Sequence, residues 1–159
     1  MSDGPSELIL LSAGLIVAAL VSGVLLGTWE DMSGILDERG KQGAEDVRTR
    51  ISLTSDPINI AWETDDHVTI WVQNSGDTFL DVNSVGAAIA GITMTVSVAD
   101  GSEEWLPGQT VQFTLTSATL DESLESGDND VQMSVTASST ASGYTGVDSI
   151  REDVRIVKP

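Results

Sequence analysis

The sequence predicts an α+β protein in which one long N-terminal helix precedes an all-β, immunoglobulin-like antiparallel sandwich. Three observations support this prediction. Residues 8–27 form an uncharged apolar run, residues 28–50 keep apolar positions at helical spacing, and residues after 50 alternate apolar with polar. A period near 3.6 is typical of a helix and a period of two is typical of a half-buried strand. The predicted domains are therefore a transmembrane helix at 1–27, a helical stalk at 28–50 and a β-sandwich at 51–159.

The apolar run from Leu8 to Gly27 is long enough to span a bilayer. At the helical rise, its twenty residues reach about 30 Å, the thickness of the hydrocarbon core. A cleaved secretory signal, with a small-residue site near Ser22, is an alternative. It would need a basic segment before the run, whereas residues 1–7 contain Asp3 and Glu7 and no Lys or Arg. A buried core helix would keep a polar face, so we predict a membrane helix.

Small residues recur every fourth position within this run. They define two helix faces, where small side chains let neighbouring backbones approach closely. The predicted packing residues are Gly14, Ala18 and Ser22 on one face, and Ala19, Gly23 and Gly27 on the other. The pattern predicts self-association through the N-terminal helix, although glycine and alanine are also common in membrane helices in general.

The helical repeat continues beyond the membrane segment. Trp29, Met32 and Leu36 follow at spacings of three and four, and a tryptophan just past an apolar run is typical of the membrane interface. We therefore expect one helix from Ser6 to Arg50. Glycines in an exposed stalk weaken an isolated helix, so close packing against neighbours would explain them better.

The charge of the chain excludes several classes of partner. Its net charge is −18, from 25 acidic and 7 basic residues. Nucleic acids and anionic lipids bind through Lys and Arg, so neither is an expected ligand. Such an acidic excess fits a protein that works in high salt, where screening shortens repulsion. A halophilic source is preferred over an acidic mesophilic surface protein.

After residue 50, short alternating segments separated by turn residues predict an antiparallel sandwich. The clearest is His67–Asn74, in which Val68, Ile70 and Val72 are expected to face the core and Trp71 to face outward. A return strand at 78–82 is expected to complete a hairpin. Ser138–Gly146 is expected to be a polar loop. Other strands are predicted at 51–53, 58–62, 85–91, 92–98, 111–115, 131–135 and 154–156.

The sequence contains little that predicts catalysis. His67 is the only histidine, there is no cysteine, and no phosphate-binding glycine motif occurs. We expect no enzyme activity, no cofactor and no metal. Calcium at the acidic cluster is a weaker alternative, because the cluster lacks EF-hand spacing. Its residues are Asp121, Glu122, Glu125, Asp128 and Asp130.

The exposed ring expected at Trp71 is a candidate contact for a partner, whereas Trp62 and Trp105 are expected in the core or its rim.

Several short motifs in order resemble the archaellum accessory protein G family (FlaG/ArlG), which is related to FlaF/ArlF. They are Ser6-Glu7 before the helix, the Ala-Gly-x-x-Val-Ala run at 13–18, Val47–Ile51, Ser55-Asp56-Pro57, the Val68–Gly76 strand and turn, and Trp105-x-Pro-Gly. The resemblance implies a Sec-type, pilin-like helix and a stator-like role. It also implies a short fibre, formed with archaellum protein F, between the membrane and the S-layer. The segment from 121 to 146 has no counterpart in this resemblance.

The resemblance also decides the expected orientation. A count of basic residues after the helix would place the β-domain in the cytoplasm, whereas the resemblance implies a position outside the membrane, which we follow. Two alternatives remain. One is a filament subunit, an archaellin or type IV pilin-like protein, although the acidic Asp3-Gly4 differs from the basic processing site of archaellins. The other is a membrane-anchored surface-binding domain.

Overall fold

The computed structural model of the protein describes residues 3–140 and 143–159. The described chain forms two compact units, one ending at Lys41 and the other running from Gln42 to Pro159. Residues 1–2 of the predicted anchor and residues 141–142 of the predicted 138–146 loop lie outside the described residues.

A single helix, α1, spans Asp3–Arg48, close to the predicted 6–50. Its side chains are exposed along the apolar run, and an 18-residue window with a mean hydropathy of 2.6 has no buried residue. Within the described residues, this is the one helix that is long and apolar enough to cross a membrane. The expectation of one long apolar helix before a β-rich domain is confirmed.

The β-rich unit contains eight strands and one short helix among the described residues. Their bounds are β1 Ile51–Leu53, β2 Ile60–Glu63, β3 His67–Asn74, β4 Gly86–Ile89, β5 Ile92–Val98, β6 Thr110–Thr116, α2 Ala118–Ser123, β7 Gly127–Ser138 and β8 Val147–Lys158. Ser117 caps α2, because its side chain accepts a hydrogen bond from the backbone N–H of Leu120.

The strands form a closed, sandwich-like sheet. Their order is β1-β3-β2-β8-β7-β4-β5-β6, and β6 pairs again with β3 to close the ring. All pairs are antiparallel except β2 with β8, where Ile60 lies opposite Ile156 in a parallel pair. Closure removes most open sheet edges. Alternation of side chains predicts strands but not their direction, so the parallel pair could not be predicted from it.

The core lies between the inward faces of the strands. Val68, Ile70 and Val72 of β3 are fully buried, as predicted, and so are the inward residues of its neighbour β6. Trp105 packs against Phe113 with ring centroids 5.2 Å apart and planes tilted by 57°, which is a favourable arrangement of aromatic rings.

Three local expectations differ from the structure. The predicted return strand at 78–82 is wrong, because β1, β2 and β6 already occupy the edges of β3. Leu80 forms isolated bridges to Trp105 and Ser139 instead. Strand β2 begins at Ile60 rather than 58, since the carboxylate of Asp56 accepts the backbone N–H of Ile58 in a turn. The last two strands are longer than expected, because β7 and β8 have twelve residues each rather than the short 131–135 and 154–156 segments.

Candidate functional site

The small residues predicted to pack helices together lie uncovered on α1. Gly14, Gly23 and Gly27 have open space where a side chain would project, with no heavy atom within 4 Å of an added Cβ. Ala18, Ala19 and Ser22 are likewise exposed. Both faces are thus available to a neighbouring helix, and packing through them stays a prediction.

The apolar stripe of the stalk is also exposed. Trp29 is 76% exposed, and it lines a shallow surface depression together with Met32, Ser33 and Leu36. The stripe therefore has no cover within the described chain, although apolar side chains of this size are usually buried.

The last two turns of α1 belong to the β-rich unit, and we refer to their attachment as the joint. Glu45 is buried, and its carboxylate accepts a hydrogen bond of 2.8 Å from the hydroxyl of Thr78. The buried hydroxyl of Thr49 donates to the backbone carbonyl of Glu45 at 2.8 Å. The carboxylate of Asp148 accepts the backbone N–H of Ile51 at 2.9 Å. Buried polar groups at the joint are thereby paired, as stability requires.

Two glycines let the chain pass close to this end of the helix. A Cβ at Gly76 would lie 2.7 Å from the backbone nitrogen of Arg50, and one at Gly146 would lie 2.6 Å from the carbonyl oxygen of Glu45. The helix also bonds directly to the start of β8, since the carboxylate of Asp46 accepts the backbone N–H of Val147. Sequence reasoning missed the joint, because its contacts join segments about 30 and 100 residues apart.

Trp71 faces outward from β3, as predicted, and is 43% exposed. It lies opposite Gln112 in the pairing of β3 with β6. The outward positions of these two strands form what we call the neutral face. Its members are His67, Thr69, Trp71 and Gln73 of β3, and Thr110, Gln112, Thr114 and Thr116 of β6. Thr95 and Ser97 of β5 continue the face, because they pair with Thr116 and Thr114.

The opposite side of the sandwich carries charges, and we call it the charged face. Its outward side chains on β7 and β8 include Asp128, Asp130, Arg151, Asp153 and Arg155. The guanidinium of Arg155 donates to both carboxylate oxygens of Asp130, at 2.7 and 3.1 Å. These hydrogen bonds lower the pKa of Asp130. An open cleft of about 440 Å³ on this face is lined in part by the same pair.

The acidic residues predicted as a cluster at 121–130 do not act together. Asp130 pairs with Arg155 on the charged face, whereas Asp121 pairs with Lys158 and Trp62. Asp121 accepts hydrogen bonds from the indole of Trp62 at 2.7 Å and from the ammonium of Lys158 at 2.9 Å. The Lys158 hydrogen bond lowers the pKa of Asp121. Within residues 3–140 and 143–159, no group of three or more His, Cys, Asp or Glu side chains is arranged to hold a metal ion.

The exposed apolar helix and the β-rich unit that follows it define the class of protein, namely one with a single helix long enough to cross a membrane and a sandwich-like β-domain. The model of the archaeal-type flagellin family matches residues 2–152. The chain therefore belongs to the archaeal-type flagellin family, and it is a structural component related to the archaellum. Membership of the chain in this family also indicates that the protein is structural and non-enzymatic.

Comparisons with solved structures give low similarity. The periplasmic chaperone SfaE aligns with a TM-score of 0.39 at 12% identity, covering 69% of this chain and 56% of the chaperone. The archaellum periplasmic stator protein FlaG from Sulfolobus acidocaldarius aligns with a TM-score of 0.34 at 14% identity, covering 64% and 99%.

A third solved structure is AggA, the major subunit of aggregative adherence fimbriae type I from Escherichia coli. It aligns with a TM-score of 0.34 at 8% identity, covering 70% of this chain and 94% of AggA. The chain thus spans only about half of the chaperone but nearly all of the other two. No curated protein matches the sequence.

Proposed function

We propose that the protein is a membrane-anchored, stator-like component of the archaellum. In this proposal it forms a short fibre with archaellum protein F between the membrane and the S-layer. The helix α1 crosses the membrane, and the β-rich unit lies outside the cytoplasm, beneath the S-layer. The observation that carries the anchored role is the apolar run of α1, which is fully uncovered over a membrane-spanning length in a chain of the archaeal-type flagellin family.

The joint supports a load-bearing role. A stator must resist torque, so the segment leaving the membrane has to be attached firmly to the part that grips a fixed structure. Here Glu45 and Thr49 are buried and hydrogen-bonded at the start of the β-rich unit. Closely packed, hydrogen-bonded elements open less readily than exposed ones.

The family match also favours a second function, that of a filament subunit. Archaeal-type flagellins give the family its description, and subunits of a helical filament would also use uncovered faces on α1 for packing. In that case the small residues at Gly14 and Gly23 would contact neighbouring helices in the filament core rather than in a membrane.

Deletion of the gene in its own host separates the two functions. Cells lacking a stator should assemble filaments that do not rotate productively, whereas cells lacking a filament subunit should assemble none. Electron microscopy of cells, swimming assays and mass spectrometry of sheared filaments measure this difference. Normal filament number without motility, together with sheared filaments that lack this chain, supports the stator. Absent filaments, or its presence as a main filament component, supports the subunit.

Contact with protein F needs its own experiment. Affinity purification of the tagged full-length chain from detergent-solubilised membranes should recover protein F in a stable ratio. The matched control is the same chain carrying Gly23→Leu, which disturbs a helix face but leaves the β-rich unit unchanged. Recovery of no archaellum protein by the wild-type chain would contradict the proposed pairing.

A further inference from the structure

We propose that the neutral face is a docking surface for the neutral face of a second copy of this chain. The inference deepens the proposed function, because it relies on α1 to hold the copies near each other. It assigns to the β-rich unit a second self-contact in addition to the helix faces.

The first argument is charge. The outward positions of β3 and β6 contain no Asp, Glu, Lys or Arg, although the chain as a whole has 25 acidic residues. Two copies that each carry a net charge of −18 repel one another. Contact through the charged face would add like-charge pairs and would remove carboxylates from water. Contact through the neutral face reduces both costs, because carboxylates lie only at its margins: Glu63 pairs with His67, and Asp100 accepts the backbone N–H of Gln112.

The second argument is side-chain chemistry. Hydroxyl and amide groups both donate and accept hydrogen bonds, so a surface of Thr and Gln can satisfy an identical surface turned against it. Such a self-complementary contact has two-fold symmetry. Trp71 lies near the middle of the face and is 43% exposed, and partly exposed tryptophans often dominate the energy of an interface.

The third argument is area. Three strands about 4.8 Å apart, each with about seven residues rising roughly 3.4 Å, cover on the order of 350 Å² per copy. The total of about 700 Å² is smaller than the roughly 1,200 Å² of most stable complexes. A freely diffusing partner would therefore bind weakly. A copy that is already held nearby by its helix has a high effective concentration, which makes a small contact sufficient.

Cysteine cross-linking of the full-length chain tests this contact, because the chain has no cysteine of its own. Gln112→Cys places a thiol on the neutral face, beside Trp71. The matched control is Gln132→Cys, which is an outward glutamine in the middle of β7, opposite Asp153 on the charged face. Ser22→Cys reports helix packing separately. Each variant is oxidised in membranes, or treated with a short bismaleimide, and dimers are measured by non-reducing electrophoresis.

We expect at least about fivefold more dimer from Gln112→Cys than from Gln132→Cys. Equal yields at positions 112 and 132 would indicate random collision and would overturn the inference. Cross-linking at 22 but not at 112 overturns the inference and leaves helix-driven assembly intact. Cross-linking of Gln112→Cys without cross-linking of Ser22→Cys supports the docking surface but contradicts the predicted helix packing. Absence of cross-linking in every variant contradicts both contacts.

A second substitution tests the role of charge. Thr114→Glu in the Gln112→Cys chain places carboxylates from both copies in the contact, so we expect the dimer to decrease by about fivefold or more at low salt. Gln132→Glu in the same chain is the control and should leave the yield unchanged. An unchanged yield with Thr114→Glu would overturn the inference.

Discussion

Two glycines make the close approach at the joint possible, and each does so because it lacks a side chain. Gly76 lies against the backbone of Arg48 and Arg50, and Gly146 lies against Glu45 and Thr49. The obstructing atoms at Gly76 are backbone atoms, which cannot turn aside as the end of a side chain can. Neither glycine has a positive φ angle, so space rather than backbone conformation requires them.

Gly146→Ala should therefore destabilise the β-rich unit. Fitting the extra methyl group beside the carbonyl oxygen of Glu45 requires a backbone shift, and the expected loss is about 1–3 kcal/mol in the free energy of unfolding. Urea unfolding of the full-length chain in detergent, followed by tryptophan fluorescence, measures this loss. Gly86→Ala is the control, because Gly86 is exposed in β4 with no neighbouring atom within 4 Å. Equal stability of the two variants would contradict the tight packing.

Asp121 should make stability depend on acid pH. The hydrogen bond from Lys158 lowers the pKa of Asp121 in the folded chain, so its stabilising contribution is present above the unfolded pKa of about 3.9. The contribution is lost as the pH falls through the lower, folded pKa. Asp121→Asn should reduce the thermal midpoint at pH 7, and its difference from the wild type should shrink below about pH 4.

Thermal unfolding of both chains between pH 7 and pH 3 provides the test for Asp121. Glu122→Gln, at the exposed neighbouring position, is the control and should show no deficit that shrinks between pH 7 and pH 3. A deficit of Asp121→Asn that is as large at pH 3 as at pH 7 would show that its carboxylate contributes through packing rather than through charge.

Within residues 8–27, the helix α1 presents two faces of small residues beside large apolar side chains. Gly23 lies at the centre of one small-residue face, whereas Val24 projects about 100° away, outside both faces. Nothing in the described chain covers Gly23. Gly23 therefore tests packing through this face, and Val24, the next residue along the helix, serves as the control position.

Gly23→Leu should weaken helix-driven oligomers by about tenfold, because the larger side chain separates backbones that small residues allow to touch. Val24→Leu adds less volume and projects from the other side, so the oligomer should be retained. Analytical ultracentrifugation in detergent, over a range of protein-to-detergent ratios, measures the association. An oligomer of unchanged size and affinity in Gly23→Leu would exclude that face as the contact.

The strands differ in how much of each could be predicted. Strand β3 agrees with its predicted bounds, because apolar and polar positions alternate along its full length. Strand β8 exceeds its prediction because its first half is also paired to β7 through the backbone, in a register from Ser138↔Val147 to Met133↔Glu152. Backbone pairing does not require apolar side chains, so composition carries no signal for it.

The acidic surface of the chain predicts a response to salt. With a net charge of −18, the folded state is destabilised by self-repulsion that added salt screens. Between about 0.15 M and about 2 M KCl the Debye length decreases from about 8 Å to less than about 3 Å. We expect the thermal midpoint to rise by roughly 5 °C or more over this range.

The same experiment on a less acidic variant separates screening from general effects of salt. Replacing Glu103, Glu104 and Glu122 with Gln neutralises three exposed acids. This variant should be more stable than the wild type at low salt and should gain less from added KCl. An identical salt dependence of the two chains would contradict repulsion as the cause.

Local pattern in the sequence was enough to predict the apolar helix, the outward direction of Trp71 and most strands. These features depend on neighbouring residues, whose spacing decides which side chains share a face. The tertiary structure alone revealed the parallel pairing of β2 with β8, the joint at Glu45 and the contrast between neutral and charged faces. Each of these brings together residues far apart in the chain, and such contacts depend on how the elements pack rather than on any local repeat.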